Sequence, residues 1–314
     1  MNRTTFRTDT LLLLTAAIWG FAFVAQRAGM DYIGPFLYNG IRFFLGSLSL
    51  APVLLYRRRK LKLGAGPAPD WSTPRPSPGT KAVWLYGIGG MMIAGVILFT
   101  ASSFQQLGIV TTTAGKAGFL TGLYVVLVPL TGGLVGRQSD LGRWIGAILA
   151  AVGLYLLSVT VRFTIAPGDV LLLLCAVFYT AHVLLIDRIS RFIDPILLSL
   201  VQSAATCVLS MAAAFLFEPI HITAIASAWG SLVYGGVMSV GIAYSMQIIA
   251  QRTAHPSHAA IILSLEGTFA AVGGFIILGE VMSVRAITGC VIMVSGMVIA
   301  QLSALRKSEH IRSS

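Results

Sequence analysis

The sequence predicts an all-α integral membrane protein of ten transmembrane helices, arranged as two inverted five-helix repeats. Three observations carry this expectation. Of 314 residues, 56% are hydrophobic and 11% are charged, against about 25% charged in a soluble domain. The apolar residues are gathered into ten long runs, and a transmembrane helix needs about 20 mostly apolar residues. The two halves of the chain also match one another under a nearly constant offset.

The runs fall at roughly 10–28, 35–56, 82–106, 112–135, 141–160, 169–187, 195–217, 228–251, 257–279 and 284–304. Gly34-Pro35, Asp140, Pro167-Gly168-Asp169, Asp194-Pro195, His255-Pro256 and Glu280 separate them. Runs of this length without strict alternation satisfy their backbones in hydrocarbon as helices. Residues 57–81 do not fit a span. They open with Arg57-Arg58-Arg59-Lys60 and then hold Pro67, Pro69, Pro74, Pro76 and Pro78. A flexible, solvated cytoplasmic loop is expected there, able to touch anionic lipid headgroups.

The net charge of +11 does not indicate a nucleic-acid partner. A phosphate-binding patch must lie on a solvated surface, whereas these charges sit at the ends of apolar runs. Orientation follows from the same residues. Of the 22 Lys and Arg, Arg27, Arg162 and Arg285 fall in the expected outer segments, and Arg42 and Lys116 fall inside spans. The rest fall on the cytoplasmic side of a ten-span chain, so both termini are expected in the cytoplasm. The first run leads to Gln26 and Arg27, not to a small-residue cleavage site, and reads as the first span. Cys175, Cys207 and Cys290 are dispersed and odd in number, which suggests neither a disulfide framework nor a zinc site. No metal or cofactor is expected.

An offset of 160 places Asp9-Thr10-Leu11-Leu12-Leu13-Leu14-Thr15-Ala16 on Asp169-Val170-Leu171-Leu172-Leu173-Leu174-Cys175-Ala176, and Ile33 and Pro35 on Ile193 and Pro195. Later the offset becomes 143, with Gly136, Gly146 and Gly153 on Gly279, Gly289 and Gly296. The proline-rich loop, present only in the first half, accounts for the change. The expected division is 1–160, 161–305 and a cytoplasmic tail at 306–314. Five helices per half is odd, so the second half must insert upside down. Transporters often follow this plan, with the substrate site near the midplane where the halves meet. Gly146 with Gly153, and Gly289 with Gly296, are spaced as close-packing seams.

Trp19-Gly20 in the first span, Arg42 in the second, and Leu265-Glu266-Gly267 followed by Leu278-Gly279-Glu280 resemble the EamA (RhaT-like) family of the drug/metabolite transporter superfamily. The resemblance covers essentially the whole chain. It implies a central cavity between the halves and alternating access, in a multi-pass protein of the cell inner (plasma) membrane acting in efflux. The first half reads Gly136-Arg137-Gln138 where the family often has Gly-Glu, so no role for that glutamate passes to Arg137.

Ionisable groups within a span are costly and usually face a cavity or a partner. Thr15, Trp19, Ala22 and Gln26 follow one helical face; their counterparts are Cys175, Tyr179, His182 and Ile186. An aromatic recurs at one level, and one of the two helices is polar at each of the others. This face, with Trp19, Gln26, Tyr179 and His182, is expected to line the pathway. In the second span Asn39 and Arg42 match Ser199 and Gln202. Arg42 could snorkel outward or bind an anionic substrate group or a helix C-terminus. Gln105 and Gln106 end the third span as interfacial or gating residues.

Lys116 falls on Ala259 under the later offset, seven residues before Glu266, so the two charges occupy equivalent faces. Their side chains lean in opposite directions, and the backbones differ in depth by roughly 10 Å. A direct pair is therefore not expected. Glu266, without an evident cation, could couple protons, bind a substrate amine or pack as a neutral hydrogen-bonded residue.

A secondary transporter, and an exporter, is the expected function, with small amphipathic metabolites such as amino acids as substrates. Trp19, Gln26, Asn39, Arg42, Lys116, Tyr179, His182, Gln202 and Glu266 are the candidate substrate-binding residues. The expected partners are that small molecule and the lipid bilayer; proton coupling and a homodimer are compatible with the sequence. A non-transporting scaffold or channel-like subunit is the alternative. Catalytic motifs such as H-E-x-x-H and G-x-S-x-G and a Walker A loop are lacking, so an enzyme or ATP-driven pump is not expected.

Overall fold

A computed structural model describes residues 3–62, 87–134, 141–158, 167–281, 283–285, 287–296 and 298–299. These residues form helices and connections, and no strand occurs among them. In chain order the helices are α1 (Arg3–Gly29), α2 (Pro35–Lys62), α3 (Ile88–Ile109), α4 (Ala114–Gly122), α5 (Tyr124–Leu134), α6 (Leu141–Ser158), α7 (Pro167–Ile189), α8 (Pro195–Phe217), α9 (Ile222–Ser227) and α10 (Trp229–Val233). A π-helical stretch, Tyr234–Ala243, then runs into α11 (Tyr244–Gln251), followed by α12 (Pro256–Leu263) and α13 (Glu266–Leu278). A further helical segment, α14, covers Ile287–Gly296.

Eight helical stretches are long and apolar enough to cross a membrane, and two shorter apolar helices lie at Trp144–Gly153 and Ile287–Gly296. The burial pattern is that of a protein in lipid. Asn39, Gln106, His182, Gln202, Ser199, Ser203 and Thr206 are fully buried, whereas Val208, Leu216 and Ile276 are 68%, 75% and 68% exposed. A soluble protein rarely leaves apolar surface so open.

The expected turns end and start the helices. Asp194 Oδ1 accepts from Ile196 N at 2.8 Å and Leu197 N at 3.0 Å, and Pro195 occupies the first turn, where its missing N–H costs nothing. Thr113 Oγ1 accepts from Lys116 N at 3.2 Å, and His255 Nδ1 from Ser257 N at 3.3 Å. Two N-termini are capped from a distance. Glu218, just past α8, accepts from Phe36 N and Leu37 N at 2.8 Å each. Glu280 Oε1 accepts from Ala114 N at 3.0 Å, reaching back because Gly279 ends α13 in the left-handed region at φ 68°. These carboxylates satisfy orphan N–H groups at the positive ends of helix dipoles. The Leu278-Gly279-Glu280 motif is thus a helix stop followed by a cap for α4.

Two outcomes differ from the sequence reading. The second span continues as helix to Lys62, because the Arg and Lys residues are good helix formers and no breaker occurs before Gly64. The rest of the expected loop, 63–81, lies outside the described residues, as does the tail at 306–314. The fourth and ninth runs are each broken near the middle, between α4 and α5 and between α12 and α13. Leu123 at the first break has φ −60° and ψ −13°, and Leu265 at the second has φ −61° and ψ −12°.

Small residues set the packing. A Cβ added to Gly20 would overlap Phe269 Cβ and lie 2.8 Å from Glu266 O and from Ala270 N. Only glycine therefore lets α1 lie this close to α13. The four seam glycines meet one another: a Cβ on Gly153 would overlap Gly289 O, and one on Gly296 would lie 2.8 Å from Gly146 O. Without a hydrophobic driving force between helices in lipid, such close backbone contact supplies the dispersion that holds them.

Candidate functional site

A narrow cavity of about 20 Å³ lies between the helices of the bundle. Its walls come from both halves of the chain. Trp19, Phe23 and Gln26 project from α1, Arg42 from α2, Gln105 from α3, and Thr121 and Tyr124 from either side of the first helix break. Tyr179 and Val183 come from α7, Ser239 from the π-helical stretch, Tyr244 and Gln247 from α11, and Leu263 and Glu266 from either side of the second break.

Arg42 does not snorkel outward. It is 2% exposed, and its Nε donates to Asn39 Oδ1 at 2.9 Å. Asn39 is held in turn by Nδ2 donating to Ser102 O at 3.0 Å. The guanidinium lies 5.0 Å from the Phe43 ring centre, and Nη2 has no hydrogen-bond partner among the described residues. Asn39 is therefore a positioning residue for Arg42 and does not itself line the cavity.

Glu266 begins α13 at the second break and is 4% exposed. Its carboxyl forms no ion pair with a described residue, and Oε1 has no hydrogen-bond partner among them. The Tyr124 hydroxyl faces it from the start of α5, yet no hydrogen bond of good geometry closes between the two. Arg42 and Glu266 thus present a guanidinium and a carboxyl, neither ion-paired with a described residue, to one cavity.

Aromatic rings fill the remaining wall. Trp19 Nε1 donates to Ser239 O at 3.3 Å, and its ring meets Tyr244 edge-on at 4.9 Å. The π-helical stretch holding Ser239 packs tightly on α2, since a Cβ on Gly46 would overlap Val240 and one on Gly236 would lie 2.9 Å from Arg42 O. Tyr179 Oη donates to Gln105 Oε1 at 3.4 Å and lies 3.3 Å from Tyr244 Oη. His182 stands behind these tyrosines with its Nε2 3.0 Å from Gln202 Oε1. His182 and Gln202 are fully buried but lie outside the lining.

Of the residues expected from sequence, Trp19, Gln26, Arg42, Tyr179 and Glu266 line the cavity. Lys116 does not; its Nζ is 2.7 Å from Asp169 Oδ2. Sequence reasoning passed over Tyr124, Tyr244, Thr121, Ser239 and Gln247, and left Gln105 at the interface. The missing signal was register. Gln105 and Gln247, Thr121 and Leu263, and Tyr124 and Glu266 each lie 142 residues apart, as do Leu123 and Leu265 at the breaks. Among the described residues no three of His, Cys, Asp and Glu come together as a metal set.

The comparisons with known proteins agree with this architecture. A crystal structure of a protein 22% identical in sequence superposes over 95% of this chain and 98% of its own, with a TM-score of 0.70. An "Uncharacterized transporter" of Archaeoglobus fulgidus is 31% identical over 299 residues, covering 94% of this chain and 85% of that protein. A 52-residue stretch is 35% identical to the "Uncharacterized transporter YoaV" of Bacillus subtilis. The family model described as the EamA-like transporter family matches twice, over residues 6–159 and 166–301. This multi-helix membrane chain belongs to the EamA-like transporter family, within the drug/metabolite transporter superfamily.

Proposed function

We propose that the chain is a secondary transporter that exports a small amphipathic metabolite carrying both charges, such as an amino acid. The observation that carries this reading is the cavity itself, with unpaired Arg42 and Glu266 set among Trp19, Tyr124, Tyr179 and Tyr244. A guanidinium and a carboxyl without ionic partners are expensive to keep charged in a low-dielectric site, and a ligand that brings a carboxylate to one and an ammonium to the other recovers that cost. The aromatic faces add apolar area and attract the ammonium through their π-clouds. Arg42 belongs to the first half of the chain and Glu266 to the second. A ligand touching both stabilises the state in which the halves are closed on it, and only such differential contact can shift a conformational equilibrium.

Two five-helix repeats of opposite orientation supply the alternation. The double match of the family model, the equal backbone angles at Leu123 and Leu265, and the seam glycines support ten spans in this arrangement. Interrupted helices at corresponding places in two halves are the usual mark of a transporter binding site. Both termini lie in the cytoplasm of a cell with this protein in its inner membrane, as the basic residues direct. Glu266 is placed to exchange a proton or to bind the substrate amine.

Ligand-dependent thermal stability tests the reading. A zwitterionic amino acid at about 100 times its dissociation constant should stabilise the purified protein by roughly 2.7 kcal/mol. Arg42→Gln and Glu266→Gln should each cut that shift to about half or less. A metabolite panel that gives no shift, or a shift that survives both substitutions in full, would contradict the proposed site.

A further inference from the structure

We propose that two ion pairs, Asp9–His258 and Lys116–Asp169, are the gates of the central cavity, one closing each end of the bundle. The role of a gate rests on the transport reading above; the geometry does not.

His258 Nε2 lies 2.8 Å from Asp9 Oδ1, an ion pair when the imidazole is protonated and a hydrogen bond otherwise. Lys116 Nζ lies 2.7 Å from Asp169 Oδ2. Each bond joins the first half of the chain to the second. Asp9 lies near the start of α1, and His258 is in the first turn of α12. Lys116 is in the first turn of α4, and Asp169 in the first turn of α7. Following the helices back and forth puts the starts of α1 and α12 at one end of the bundle, and those of α4 and α7 at the other.

The two pairs are also the same bond made twice. Asp9 and Asp169 are separated by the offset of 160 that aligns the first and sixth spans. Lys116 and His258 are 142 apart, as are the capping residues Thr113 and His255 that precede them. Two unrelated ion pairs would have no reason to obey both offsets. An inverted repeat turns one such bond into two, at opposite faces of the membrane.

Each bond is backed by other contacts between the halves. Thr8 Oγ1 meets Thr253 Oγ1 at 3.0 Å beside the first pair. Beside the second, Gly168 lies so close to α3 that a Cβ on it would stand 2.8 Å from Gly108 O. An end held this way opens only if its ion pair breaks. Water makes the break affordable, because partly exposed pairs regain hydration on separation and are weak in high dielectric. Asp9 is 18% exposed and Lys116 28%, so each pair has one partner at the edge of the bundle. With both pairs formed the conformation is occluded, and each open state requires the loss of one.

The test uses full-length protein in oriented vesicles, with Cys175, Cys207 and Cys290 replaced by alanine and one reporter, Val183→Cys, in the cavity wall. A membrane-impermeant maleimide is applied from one face at a time. Lys116→Asp sets two carboxylates against each other. Moving a minor open state toward larger population should raise labelling about tenfold from the face opposite the N-terminus, with no gain from the other. His258→Asp should do the reverse, raising labelling only from the N-terminal face. The charge swap Lys116→Asp with Asp169→Lys should return labelling to the parent level, which separates gating from loss of fold. Labelling that does not rise, that rises equally from both faces, or that the swap fails to restore would overturn the proposal. No substrate enters this readout. One-sided labelling without any transported solute would leave the gates standing and reject the transport reading, and uptake with unresponsive labelling would do the opposite.

Discussion

Replacing Gly20 with leucine is expected to destroy the native fold, measured as loss of the monodisperse species in detergent and of a cooperative thermal transition. The first atom added would already overlap Phe269 Cβ and stand 2.8 Å from Glu266 O and Ala270 N. Two of these three neighbours are backbone atoms of α13, so no rotamer change makes room. Overpacking a tight contact typically costs about 1–3 kcal/mol and occasionally more; a full leucine here should exceed about 3 kcal/mol. That is a large share of a total stability of about 5–15 kcal/mol. The same contact places Glu266, so a milder Gly20→Ala should lower the melting temperature and displace the carboxyl. A Gly20→Leu protein that melts like the parent would show that α1 and α13 do not meet in this way.

Glu266→Gln should have the opposite profile, with little change in stability and a large loss of transport. Removing one member of a buried ion pair strands the other and is strongly destabilising. Glu266 has no ionic partner among the described residues, so nothing is stranded, and stability should stay within about 1 kcal/mol of the parent or rise. A charge-assisted hydrogen bond to a substrate ammonium contributes about 1.5–3 kcal/mol. Its loss should lower apparent affinity about tenfold or more. Thermal melts and initial uptake rates on the same preparation separate the two effects. A variant that transports like the parent would assign Glu266 a packing role.

The contrast between these two substitutions follows what the sequence made legible. Buried charge and aromatic spacing in apolar runs were visible, so Trp19, Arg42, Tyr179 and Glu266 stood out in the sequence, and the structure places all four on the cavity wall. Tyr124 and Tyr244 did not stand out, because a tyrosine in an apolar run looks like ordinary core until its hydroxyl is seen to face a carboxyl or another hydroxyl. Lys116 illustrates a subtler miss. An offset of 143, correct for the seam glycines, set it opposite Ala259, whereas the helix caps follow 142 and set it opposite His258. A shift of one residue on a helix turns a side chain by about 100°, enough to hide the correspondence between the two ion pairs. The helix breaks at Leu123 and Leu265 were invisible for a related reason. Gly122 beside Leu123 and Gly267 two residues after Leu265 read in the sequence as packing glycines of an apolar run and not as helix breaks.

The central claim is that solute crosses the membrane through the cavity between Arg42 and Glu266. Its most direct test is uptake into proteoliposomes from an amino-acid and metabolite mixture, with the lumen analysed by mass spectrometry. Vesicles holding the parent protein should accumulate at least one zwitterionic solute well above protein-free vesicles, and those holding Arg42→Gln or Glu266→Gln should not. A lumen of the same composition in all four preparations, or full uptake by both variants, would contradict the account.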